Sequence, residues 1–260
     1  MRLTREIRFS LGGETSGRVS NSWAGWPSAV GVQPYLVMRA IVTGEPDPVT
    51  GYLCNIKEID NLLRERAIPL ANRLYQDSSP LHGESLIVAI ATDLKPHAPA
   101  GTRWVGWRVG LTPYLWYAVD EGAREMVQVT QSFEFAAAHR LHCPTLSDEE
   151  NRKVFGKCNN PNGHGHNYQV EVTVEGDVSA STGVVLPVTE LEGIVKQHVV
   201  DRFDHKHLNR DCVEFAELNP SVEHITRVIW SLLKNQFAPA RLKLVRVYET
   251  PKTWAEYDGS

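Results

Sequence analysis

The chain has 260 residues, 42% hydrophobic and 22% charged with 19 Gly and 15 Pro, which excludes a disordered or collagen-like protein and allows one large domain or two small ones. A formal net charge of -4 excludes the overall basic footprint of a duplex nucleic-acid binder, so small molecules are the expected partners. The longest apolar run, residues 86–91, is too short to cross a bilayer, and the charged start MRLTREIRFS has no apolar stretch behind it, so a cytoplasmic protein without a membrane partner is expected.

In chain order, IRFS (residues 7–10) and YLVMRAIVT (35–43) take the places of strands, and NIKEIDNLLRERA (55–67) that of an amphipathic helix. GESLIVAIATDL (83–94) is ambiguous between helix and buried strand, and WRVGL (107–111) is a strand. FEFA (133–136) matches IRFS, and QVEVTVE (169–175) alternates with the period of a strand that buries one face. TELEGIVKQHVV (189–200) puts Leu191, Ile194, Val195 and Val199 on one helical face, and SVEHITRVIWSLLKNQF (221–237) does the same with Val222, Ile225, Ile229 and Leu232. Pro220 suits the start of that second helix, and RLKLVRVYE (241–249) reads as a closing strand.

These elements repeat. GEPDPVTGYLCNIKEIDNLL from Gly44 and GDVSASTGVVLPVTELEGIV from Gly176 share their first Gly, a Thr-Gly pair and a Glu, with Glu58 matching Glu190. RVGLTPYLWYAVD from Arg108 and RVYETPKTWAEYD from Arg246 share Arg, Val, Thr, Pro, Trp and Asp at equal positions. The register makes residues 83–94 a helix and divides the chain into units 1–128 and 129–260, with a seam near DEGAREMVQV. The expected fold class is α+β, with helices covering one face of an antiparallel sheet in each unit.

The units differ in chemistry. Eight of the ten histidines lie in the second (139, 142, 164, 166, 198, 205, 207, 224), and the first has only His82 and His97. In the register, His164 and His166 fall opposite Val32 and Pro34, and Cys158 falls opposite Trp26. His164, His166, Tyr168, Val170, Val172 and Val174 share one face of an extended segment, as do Phe133, Phe135, Ala137 and His139 of another. If both faces meet one core, three imidazoles converge at its end, the ligand set of a catalytic zinc with an open fourth position. Unrelated surface or core histidines are the plainer alternative.

Cys158 stands in a turn-rich NNPNG loop, where it is either an inert small side chain or, beside a metal, a thiolate base. The four cysteines are scattered and no secretory signal precedes them, so a disulfide framework is not expected. Asp204 and His205 are adjacent and suited to proton relay, or are a solvated loop pair. Glu249 follows Val245 and Val247 on one strand face, either buried towards a pocket or solvated at the strand end.

FEFAAAHRLH, GKCNNPNGHGHNY, RFDHKHLN, NPSVEH and VYETPKTWAEY resemble, in order and spacing, the 6-pyruvoyltetrahydropterin synthase family, which includes the bacterial 6-carboxytetrahydropterin synthases of the queuosine pathway. The resemblance covers roughly residues 129–257, and the NNPNG insert looks more like the pyruvoyl enzymes. It implies a tunnelling fold, a four-stranded antiparallel sheet with two helices on one face, assembled as homo-oligomeric barrels. It further implies Zn2+ on His139, His164 and His166, and proton transfer by Cys158 with Asp204 and His205. Glu249, helped by Glu223, would anchor the pterin ring. The implied substrate is 7,8-dihydroneopterin triphosphate, converted to 6-pyruvoyltetrahydropterin with loss of triphosphate, or alternatively to the 6-carboxy product. A noncatalytic pterin-binding scaffold is a further alternative.

Pro187 stands where the family commonly has Asn or Asp, Phe203 replaces Leu, and His224 replaces an Asn. The first unit looks like a degenerate tandem copy, with Leu111 where the second has Glu249, and is expected to act as a scaffold that completes the barrel. In the family the cysteine and the Asp-His pair can come from different subunits. Here both occur only in the second unit, so active halves are expected to meet across a chain interface.

Overall fold

A computed structural model describes residues 1–12, 25–78, 80–122 and 126–260. Within the expected seam, residues 123–125 lie outside the described residues. The chain forms two compact units, one of Met1–Val129 with Gly176–Val185, the other of Thr130–Glu175 with Leu186–Ser260. Gly176–Val185, expected in the second unit, thus groups with the first, where the Val185 N–H donates to the buried carboxylate of Glu84 over 3.4 Å.

The first unit holds β1 (Arg2–Ser10), β2 (Tyr35–Gly44), β3 (Thr102–Thr112) and β4 (Leu115–Asp120), hydrogen-bonded in that order and antiparallel throughout. Alternation along β2 buries Leu36, Met38, Ala40 and Val42 on one face. The helical side is α1 (Ile56–Leu62), a π-helical turn (Leu63–Ala67), α2 (Ile68–Asp77) and α3 (Gly83–Leu94). The helix expected over residues 55–67 therefore runs on through α2. Asn55 caps its start by accepting from the Lys57 N–H, and the fully buried Ile59, Leu63, Ala67 and Ala71 recur every fourth residue. The ambiguous run is helix α3, which lays Leu86, Ile87, Ile90 and Leu94 against β3 and β4.

The second unit holds most of β5 (Val127–His139), then β6 (His164–Gly176), β7 (Lys206–His207), β8 (Arg241–Thr250) and β9 (Thr253–Tyr257). The order is β5-β6-β8-β9, and β7 pairs parallel to β5. Its helices are α4 (Asp148–Phe155), α5 (Val188–Val195), a π-helical turn (Lys196–Val200), α6 (Asp201–Phe203), α7 (Leu208–Asp211) and α8 (Val222–Leu233). Packing of α8 on β8 and β9 uses Val222, Ile225, Ile229 and Leu233. The substituted Phe203 is fully buried against Phe135 and Phe215.

Both Thr-Pro matches are hairpin turns. Thr112 pairs with Leu115 and Thr250 with Thr253, leaving each Pro in a two-residue loop where its missing N–H breaks no ladder. No helix of the described residues is long and apolar enough to cross a membrane.

Candidate metal and proton-transfer site

The last residue of β5 and the first and third of β6 bring three imidazoles together, because both strands continue inward-facing positions that Phe135, Tyr168 and Val170 bury below. Ring centroids lie 4.4 Å apart for His139 and His164, 4.9 Å for His164 and His166, and 5.3 Å for His139 and His166. Glu249, near the end of β8, joins them with a carboxylate oxygen 3.4 Å from His139 Nε2 and 3.6 Å from His166 Nε2. One potential ligand atom from each of the four lies within 4.8 Å of every other.

His139 sets the site's protonation. Its Nδ1–H donates to the Pro220 carbonyl over 2.7 Å, which leaves Nε2 as a lone pair 3.0 Å from His164 Nε2. Burial, with the neighbouring imidazoles adding to it, drives the His139 pKa down to about 4, so the ring is neutral at neutral pH. His166 Nε2 and His164 Nδ1 are buried with no hydrogen-bond partner. An unsatisfied buried polar atom costs about 1–3 kcal/mol, which a cation at the centre of the cluster would remove for His166. Three imidazoles and a carboxylate are a donor set that could hold one divalent ion.

Two cavities touch this cluster. The first, of about 880 Å³, is lined by His166, Glu249, His205 and His207 among others. The second, of about 800 Å³, is lined by His164 and Cys158. Cys158 is half-buried in a 3-10 turn (Gly156–Asn159), and its thiol is pushed up by burial and then by the Glu249 carboxylate.

Asp204 and His205 are clamped to β5 from both sides of Ala136. The Ala136 N–H donates to Asp204 Oδ1 over 2.8 Å, and the His205 N–H donates to the Ala136 carbonyl over 2.6 Å. His205 Nδ1 in turn donates to Asp204 Oδ2 over 2.7 Å; the His205 side chain is 84% exposed, and the residue is part of the first cavity's lining. The backbone of His205 has φ +57, a left-handed conformation that costs a non-glycine residue about 1–2 kcal/mol and that the Ala136 contacts hold in place. Backbone donation from Ala136, then the His205 ring, holds the Asp204 carboxyl below the usual range.

Of the eight residues read from the sequence, the structure clusters His139, His164, His166 and Glu249 and puts Cys158 and His205 on different cavities of that cluster. Glu223 stands apart, exposed in the first turn of α8 and lowered in pKa by the Ser221 hydroxyl. Two participants were missed. The Pro220 carbonyl that orients His139 has no signature in sequence. His207 had one, its two-residue spacing from His205; both its ring nitrogens are buried without partners, and it lines the larger cavity.

Residues 128–260 match the family model described as 6-pyruvoyl tetrahydropterin synthase. The chain is similar to the Homo sapiens 6-pyruvoyl tetrahydrobiopterin synthase, 42% identical over 138 residues that make up 53% of this chain and 95% of that protein. It is also similar to a putative 6-carboxy-5,6,7,8-tetrahydropterin synthase of Archaeoglobus fulgidus, 35% identical over 125 residues, 48% of this chain and 90% of that one. The solved Caenorhabditis elegans 6-pyruvoyl tetrahydropterin synthase superposes with a TM-score of 0.50 and 38% identity over 52% of this chain and 96% of that structure.

Proposed function

The chain belongs to the 6-pyruvoyl tetrahydropterin synthase family and is a lyase of that family, and from this premise we propose that it converts 7,8-dihydroneopterin triphosphate to 6-pyruvoyltetrahydropterin with loss of triphosphate. The observation that carries the reading is the convergence of His139, His164, His166 and Glu249 beside Cys158.

In this reading His139, His164 and His166 hold Zn2+, and the Glu249 carboxylate accepts hydrogen bonds from the pterin ring N–H groups. When bound, the ion supplies a positive field that polarises a side-chain hydroxyl of the substrate and lowers the Cys158 thiol against the field of Glu249. The Cys158 thiolate takes a proton from the substrate side chain. His205, oriented by Asp204, exchanges a proton at the ring nitrogen that faces the cavity. The two cavities support a further element. Cys158 and the Asp204–His205 pair complete one site between copies of the chain, with Glu223 of another copy helping to anchor the ring. The chain is then a tandem of two tunnelling-fold units, 1–128 as scaffold and 129–260 as the zinc unit, that closes a barrel as a homo-oligomer.

Incubation with 7,8-dihydroneopterin triphosphate, with and without chelator, followed by mass identification of the product, tests this. Expected are the 6-pyruvoyl product and triphosphate, abolished by chelator and restored by zinc. The Archaeoglobus relative supports the runner-up, and release of acetaldehyde with a 6-carboxy product would establish it. No turnover with zinc present would leave only a pterin-binding scaffold.

A further inference from the structure

The first unit keeps a cavity where the second has its imidazole site. Its volume is about 560 Å³, within the range of small-ligand pockets. By the register of the repeat, Leu11 answers to Ala137, Pro34 to His166 and Leu111 to Glu249, and each of the six lines the cavity of its own unit. The imidazole and the carboxylate have thus given way to Pro34 and Leu111, and Leu36 and Leu86, both almost fully buried, extend the apolar wall. The exchange changed the chemistry of the space without filling it.

The exposed part of the lining says which ligand suits it. Tyr75 and Asp77 belong to the last turn of α2, and Asp77 is the single charged residue among the described lining residues. That turn holds no basic residue, and Arg73, one turn earlier, makes no ion pair with Asp77. The Ser78 N–H closes the helix on the Leu74 carbonyl over 3.0 Å, so the carbonyls that follow have no helical partner and carry the negative end of the helix dipole. A carboxylate at that end is the unfavourable choice of charge, and among the described residues nothing offsets it. The cavity's other helix end, the start of α3 at Gly83, already has its favourable acid in Glu84. The Tyr75 ring is 40% exposed and packs on no other ring among the described residues, which leaves a π face beside the carboxylate.

We propose that this cavity of the first unit is a binding site for a small organic ammonium ion. Leu11, Leu36, Leu86 and Leu111 take its apolar body, and Asp77, the Tyr75 ring and the end of α2 take its charged head. The assignment is independent of the reaction proposed for the second unit and gives the first unit a ligand of its own.

The test is calorimetric titration of the full-length protein, at low ionic strength and pH 7, with 2-phenylethylammonium and with its neutral analogue 2-phenylethanol. Wild type should bind both and prefer the ammonium by about tenfold, the combined effect of the carboxylate, the helix end and the ring. Asp77→Asn, at an exposed position, should cut that preference about threefold and leave the affinity for the alcohol unchanged. Leu111→Trp, which fills the cavity, should weaken both ligands at least tenfold; should it not fold, Asp77→Asn still decides. No binding to wild type, equal affinity for the two probes, an ammonium preference untouched by Asp77→Asn, or full affinity in a folded Leu111→Trp would each overturn the site.

Discussion

The two units share a plan down to its irregularities. A π-helical turn interrupts the long helix at Leu63–Ala67 in one and Lys196–Val200 in the other, and strand register slips at Ile41/Val42 and again at Thr173/Val174. Ile59, Leu63 and Ala67 are buried in one where Leu191, Val195 and Val199 are buried in the other. The chemistry at corresponding places differs. Pro34, Leu36 and Leu111 stand for His166, Tyr168 and Glu249, and line an apolar cavity of about 560 Å³ in the first unit. The architecture thus depends on its helix–sheet core and not on the imidazole site, whose polar groups cost stability unless something binds them.

The widest contrast is expected from His166→Ala against its counterpart Pro34→His. The first should abolish metal retention, read by elemental analysis, and lower turnover by about 10³-fold or more, the several kcal/mol a Lewis-acid cation contributes. The second should change neither. Next in size, Cys158→Ala should lower turnover by about 10²–10⁴-fold with metal content intact, the usual contribution of a positioned base; an unchanged rate would remove that thiol from the chemistry. Ile59→Ala and Leu191→Ala remove equivalent buried side chains and should each cost about 2–5 kcal/mol in denaturant unfolding, and unequal losses would show that one core has drifted from the shared plan.

The smallest effect concerns one carboxylate with opposite environments. Glu84 and Glu223 both stand second in their helices, α3 and α8. Burial raises Glu84 above its ordinary value, while the Ser221 hydroxyl lowers Glu223. A raised folded pKa means stability that is fully present below about pH 4.5 and lost as pH rises through the folded value. Glu84→Gln should therefore raise Tm at pH 7 and change little below pH 4.5. For Glu223 the sign reverses, its contribution being lost as pH falls, so Glu223→Gln should lower stability slightly at neutral pH, by about 0.5 kcal/mol or less at this exposed position. Equal responses would mean that the two environments do not differ in sign.

Strand parity made the imidazole cluster legible, since alternation along residues 164–174 and 133–139 fixes which side chains share a face whatever the tertiary detail. The start of helix α4 is legible as well. Ser147 and Glu150 form a capping box whose spacing is written in LSDEEN. Other features were not readable from any window. The Pro220 carbonyl reaches His139 across 81 residues, and the Val185 N–H finds Glu84 across 101. Nothing local in LLRERA or KQHVV announces a π-helical turn.

That second long-range bond bears on how the chain is made. The first unit includes Gly176–Val185, so during synthesis it stays incomplete, with Glu84 lacking its backbone donor, until residue 185 has cleared the ribosome. By then β5 and β6 have already emerged, and the nascent polypeptide must finish its earlier half with a strap borrowed from its later one. A single cut at the seam would therefore strip that strap from the first fragment and leave it dangling from the second.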